Sequence, residues 1–146
     1  MKNINLGYIS MYDWKEGDRI FPKWMREDEE YEKEIKSTKE DDVVLLPNSI
    51  YVLHITYPLS TTFIHQFVTT AHGMTRKELV KIVVTLYHKI YDEEDASVGA
   101  TPNIPGMFNR QESKGPHGIW GHSLDDLILH SAEIDKDNVI TLGIDS

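Results

Sequence analysis

The chain has 146 residues, a formal net charge of −9 and no cysteine. That length fits one domain, and the lack of cysteine excludes disulfides, iron–sulfur clusters, cysteine zinc sites and cysteine nucleophiles. With 24 acidic against 15 basic residues, direct nucleic-acid binding is not expected, because it needs clustered Lys and Arg; a protein partner with a basic surface suits the charge better.

The opening MKNINLGYIS is too polar for a signal peptide, and no apolar run reaches the ~18 residues of a membrane span. The expectation is an intracellular protein with no membrane association. The composition shifts near Asp42. Residues 1–42 are charged and aromatic and are expected to form an acidic N-terminal arm, anchored on the domain or on a partner by Trp14, Ile20, Phe21, Trp24 and Met25. Glu27 to Ile35 has the composition of one short solvated helix without an apolar stripe. Packed across a two-fold axis, such an arm would make a homodimer.

Regular patterning begins at Val43. Ser49 to Tyr57 is rich in β-branched and aromatic residues and reads as a strand, with Tyr51, Leu53, Ile55 and Tyr57 on one face. Pro58-Leu59-Ser60 turns the chain. Thr61 to Thr70 reads as a second strand, with Phe63, His65 and Phe67 on one face and Ile64, Gln66 and Val68 on the other. The two form an antiparallel hairpin. Thr75-Arg-Lys-Glu78 is a capping box, and Leu79, Ile82, Val83, Leu86, Tyr87 and Ile90 follow at helical spacing. The pattern predicts an amphipathic helix of about 17 residues ending in Asp92, Glu93, Glu94 and Asp95. Acids at a helix C-terminus oppose the macrodipole. Two readings are open for them: a frayed, solvated end, or a docking surface for a partner.

Residues 96–121 read as one long loop. Its end, GPHGIWGHS, has a structural reading. Gly115, Gly118 and Gly121 permit unusual backbone angles, Pro116 stiffens the entry, and Trp120 locks the loop to the sheet. His122 and Ser123 supply hydrogen bonds where the loop becomes a strand. The alternative is that Ile119 and Trp120 contact a partner. Ser123 to Asp126 reads as a short capped turn. Leu127 to Ile134 and Val139 to Ile144 read as the last two strands, joined by the turn Asp135 to Asn138. The order β-β-α-β-β predicts a single α+β domain, 43–146, with an antiparallel sheet and one main amphipathic helix, β-grasp-like in topology.

Chemical motifs are sparse. The seven histidines (His54, His65, His72, His88, His117, His122 and His130) include no HExxH pair or other metal-ligand spacing. No glycine-rich nucleotide loop is present, so neither a metal nor a cofactor is expected. Ser123 with His122 as nucleophile and base fails on geometry, since sequence neighbours rarely meet as a triad, and GHSLD is no GxSxG elbow. An enzyme reading survives as the alternative: a small hydrolase with His117, His122 and Asp126 around a pocket under the long loop.

In combination, YPLS, TRKELV with a tyrosine-containing helix ending in IYDEED, GIWGHSLDDLIL and the terminal GIDS resemble a group of uncharacterised proteins of giant DNA viruses, of the marseillevirus and mimivirus kind. The resemblance covers residues 43–146 and carries no catalytic residues. It implies a small viral protein, present in the cytoplasm or nucleus of an infected cell or in the virion. The leading expectation is therefore a non-enzymatic, virion-associated or protein-interaction protein. Its contacts are expected at Ile119, Trp120 and Asp92 to Asp95.

Overall fold

The computed structural model describes residues 2–15, 44–98, 115–119 and 121–146. The first hairpin forms as its alternation predicts. Strand β3 (Ile50–Ile55) buries Tyr51, Leu53 and Ile55 and turns Ile50, Val52 and His54 outward. It pairs antiparallel with β4 (Phe63–Val68) in the register Ile50↔Val68, Leu53↔His65, Ile55↔Phe63. Thr75 then caps the helix α1 (Arg76–Val98). The Glu78 N–H donates to Thr75 Oγ1 at 3.2 Å, and the Thr75 N–H donates to Glu78 Oε1 at 3.0 Å. The helix buries Leu79, Val80, Val83, Val84, Leu86, Tyr87, Ile90 and Tyr91 against the sheet. It runs on to Val98, well past the acidic run at which the sequence predicts its end.

After a 3-10 turn at Leu124–Asp126, β6 (Ile128–Ile134) and β7 (Val139–Asp145) make the second hairpin. Asp135 Oδ1 accepts the N–H groups of Asp137 and Val139 at 2.8 and 3.0 Å, which closes the connection. A small second sheet pairs β2 (Val44–Leu46) with β5 (Met74–Thr75).

The architecture is α+β, with two corrections to the sequence reading. First, the main sheet is mixed. Its order is β1-β6-β7-β3-β4, with β1 the strand Lys2–Ser10, and β3 runs parallel to β7 through Val52↔Val139, Leu53↔Ile140 and His54↔Thr141. Parallel neighbours need a long crossover, here everything from β4 to β6 including α1. Local periodicity cannot register such a pairing. The run β4-β3-β7-β6, with its parallel pair at the centre, has the order of a β-grasp sheet.

Second, residues 2–15 are not an arm. Strand β1 (Lys2–Ser10) pairs antiparallel with β6, and Ile4, Leu6, Ile9, Met11 and Trp14 enter the same core as α1. A bulge between Asn5 and Ile9 breaks the alternation, and Asn5 Oδ1 accepts the Gly7 N–H there at 2.8 Å. The strand's apolar residues thus fall out of step and read as a polar segment. Ile20, Phe21, Trp24, Met25 and the helix expected at 27–35 lie outside the described residues.

Candidate functional site

The end of α1 and the start of the GPHGIWGHS stretch meet at one corner. Glu94 is only 1% exposed. Its Oε1 accepts the N–H groups of Gly115 at 2.9 Å and Gly118 at 3.1 Å, and its Oε2 accepts that of His117 at 2.9 Å. A buried carboxylate needs such donors, and a loop needs acceptors for its buried N–H groups. Each requirement meets the other, which is why α1 continues through its acidic run. Glu94 is therefore an inward structural group rather than part of a docking surface. Its neighbour Glu93 is half-exposed, lies 3.8 Å from Lys89 and faces the buried His117 ring at 3.4 Å. Asp92 and Asp95 stay on the surface.

The loop is held on its other side by the β3–β4 connection. Gly118 O accepts from Ser60 N and Ser60 Oγ, both at 2.8 Å, and Ile119 bridges Leu59. Gly118 has φ 63, a left-handed angle that a side chain resists. Gly115 is needed for space: a Cβ there would lie 2.5 Å from Glu94 Cδ. Ile119 is 8% exposed and belongs to the core, so it offers no free anchor to a partner. Trp120 lies outside the described residues, as does 99–114 of the long loop, and 96–98 is helical.

The remaining residues of the enzyme alternative have separate neighbours. His117 packs edge-on against Phe63 at 5.7 Å and faces Glu93. His122 tilts against Tyr57 at 5.6 Å, and its carbonyl accepts from Tyr91 Oη at 2.9 Å. Asp126 accepts from Ser123 Oγ at 3.1 Å, and Asp125 takes a second contact from the same hydroxyl. Ser123 thus sits at the N-cap of the 3-10 turn with its hydroxyl donating to the carboxylates of Asp125 and Asp126 rather than to His122. Among the described residues no group of three His, Asp or Glu side chains is placed to hold a metal, and no helix is long and apolar enough to cross a membrane.

Two tyrosines of α1 stitch this corner together. Tyr87 Oη donates to Tyr57 O at 2.6 Å. Burial pushes the Tyr87 phenol well above its ordinary value of 10.0. Burial does the same to Tyr91, with neighbouring Tyr87 and the Asp126 carboxylate adding to it. Both phenols stay neutral in the folded state at a pH where the unfolded chain ionises them. Their contribution to stability is therefore complete below pH ~10 and declines as the pH rises above it. Tyr87→Phe is expected to cost about 1 kcal/mol at neutral pH and to flatten that alkaline decline. Urea unfolding at about pH 7 and about pH 11 measures both effects.

Sequence reasoning missed two further features. On the sheet face opposite α1, a bulge in β6 between Leu129 and Ser131 brings His130 and Ser131 together over Gly143. Ser131 Oγ lies 2.9 Å from His130 Nδ1, and Asp145 Oδ1 lies 3.4 Å from His130 Nε2. The chain Ser–His–Asp runs in an order that invites comparison with a triad. However, the ring is reversed relative to the usual serine-hydrolase arrangement, and the carboxylate is half-exposed. It reads as a surface hydrogen-bond chain.

The second is the place of β4 in the fold: the strand expected at Thr61 to Thr70 lies at an edge of the main sheet. The Thr69 N–H donates to Ser49 O at 3.1 Å, and the Val52 N–H donates to Asn138 O at 3.0 Å on the β7 side. In an antiparallel ladder hydrogen-bonded pairs alternate. Phe63, His65 and Phe67 therefore turn their backbone groups to β3, and Ile64, Gln66 and Val68 turn theirs to the open edge. No described residue pairs with that edge. The same three residues point their side chains outward; Ile64 is 61% and Val68 66% exposed, beside Ile50 at 54%. The strand FIHQFV carries no Lys, Arg, Asp, Glu or Pro and no bulge. The opposite edge, β1, has both Lys2 and a bulge. Edge strands are normally blunted by such devices, and β4 has none.

No protein-family model matches the sequence, and neither curated proteins nor solved structures give a match.

Proposed function

We propose that this protein is a non-catalytic interaction module that recruits another polypeptide along β4 and the adjoining outer face of the sheet. The observation that carries this reading is the uncharged β4 edge, unpaired among the described residues, with Ile50, Ile64 and Val68 exposed beside it. Strand addition to such an edge takes affinity from main-chain hydrogen bonds and specificity from alternate side chains. The corner built on Glu94 supports it by holding the β3–β4 connection rigid, so that the edge is presented already formed. The exposed Asp92 and Asp95 favour a partner with a basic rim. The resemblance to giant-virus proteins favours an infected cell or a virion as the setting, with a viral or host protein as partner.

Comparative capture from native extract tests the reading. The wild-type chain is expected to retain a small set of near-stoichiometric proteins that Ile64→Lys and Val68→Lys both lose. Neither exposed substitution should change stability by more than about 0.5 kcal/mol, so thermal melts of the two variants should overlay the wild type. An identical retained set for all three proteins would count against this surface.

A further inference from the structure

We infer that the polypeptide seated on β4 is a second copy of this chain, paired antiparallel to β4 about a two-fold axis through Gln66. The inference rests on the recruitment reading and narrows it to one partner.

The backbone permits this register and the side chains select it. The backbone groups facing the open edge belong to Ile64, Gln66 and Val68. Placing Gln66 opposite the partner's Gln66 sets Ile64 against the partner's Val68 and Val68 against the partner's Ile64. In each of these pairs both residues turn N–H and C=O toward one another, so each pair exchanges both ladder bonds. The side chains match in the same register. Exposed Ile64 meets exposed Val68, and an amide meets an amide. On the inner face His65 falls beside the partner's Phe67, extending the stack that His65 and Phe67 already make at 6.2 Å. Moving the axis to His65 would set Ile64 against Gln66 and lose the apolar match. An axis through Gln66 is isologous, so the assembly closes after two copies, and the bulge in the opposite edge, β1, disfavours growth of the sheet on that side.

Charge selects this strip as well. Each copy carries −9, so most faces of two copies repel one another. The six residues of β4 carry no formal charge. Association through them is opposed only by the field of the rest of the molecule, and added salt should strengthen it.

Sedimentation velocity of the full chain over a concentration series tests the inference. A concentration-dependent dimer is expected, more populated at higher salt. Gln66→Pro should sediment as a monomer. Its ring removes an N–H that faces the open edge and leaves the β3–β4 ladder whole, the position at which a strand tolerates proline. Ile64→Lys provides an independent second variant, since lysine on an edge resists pairing, and it too should be monomeric, with a melt that overlays the wild type at dilutions where the wild type is itself monomeric. A wild type that stays monomeric throughout, or a dimer that survives Ile64→Lys, overturns the inference. A monomeric wild type whose captured proteins are still lost in Ile64→Lys overturns self-pairing alone and leaves recruitment through β4 standing. Capture unaffected by the variants, together with a wild type that stays monomeric, removes both.

Discussion

Glu94→Ala is expected to lower the free energy of unfolding by about 3–5 kcal/mol, the largest effect of any single substitution at the acidic end of α1. The change removes one carboxylate and leaves the N–H groups of Gly115, His117 and Gly118 without the acceptor they now share. In a domain of this size the loss corresponds to a fall in melting temperature of about 10–15 °C. Glu94→Gln should fall between wild type and Ala. Its carbonyl oxygen can replace Oε1, which serves Gly115 and Gly118, while its NH2 faces the His117 N–H and cannot accept from it. By contrast, Asp92→Ala and Asp95→Ala touch exposed groups and should stay within about 0.5 kcal/mol of wild type. Urea melts of these four variants order them. Equal effects at all the acidic positions would mean that the cage does not hold the corner.

Gly115→Ala is expected to cost about 2–3 kcal/mol on its own, because its Cβ would lie 2.5 Å from both Glu94 Cδ and Glu94 Oε2. In a Glu94→Ala background the obstructing atoms are gone, and the same substitution should cost less than about 0.5 kcal/mol. The double-mutant cycle therefore predicts a coupling of about 1.5–3 kcal/mol between positions that lie 21 apart in sequence. Additive costs would place the glycine requirement in the loop's own backbone instead of in its contact with Glu94.

These residues also show how far the sequence could be read. The β3–β4 hairpin, its two faces and the capping box at Thr75 were legible because each rests on residues a few positions apart. The final hairpin was legible for the same reason. The Glu94 cage was not. An acid near a helix end reads as an electrostatic cost, and the compensating donors lie 21 to 24 positions away in a glycine-rich stretch. β1 was hidden by its own bulge and by a partner strand at the far end of the chain. β4 was recognised as a strand, yet its place in the sheet was not recoverable. Apolar residues on both faces, with Phe63 and Phe67 inward and Ile64 and Val68 outward, suit a central strand as well as a docked edge. Only the parallel pairing of β3 with β7 puts β4 on the outside.

Residue-resolved amide hydrogen exchange along β4 tests the central claim most directly. The amides of Phe63, His65 and Phe67 bond inward to β3 and should be protected under all conditions. Those of Ile64, Gln66 and Val68 face the open edge. They should exchange freely in dilute Gln66→Pro or Ile64→Lys (at the amides each retains), and become protected in the wild type as its concentration rises. Protection that appears at alternate residues only, and only on association, is the result predicted by pairing through this edge. Exchange at Ile64, Gln66 and Val68 that stays fast at every concentration and with every captured protein would contradict it.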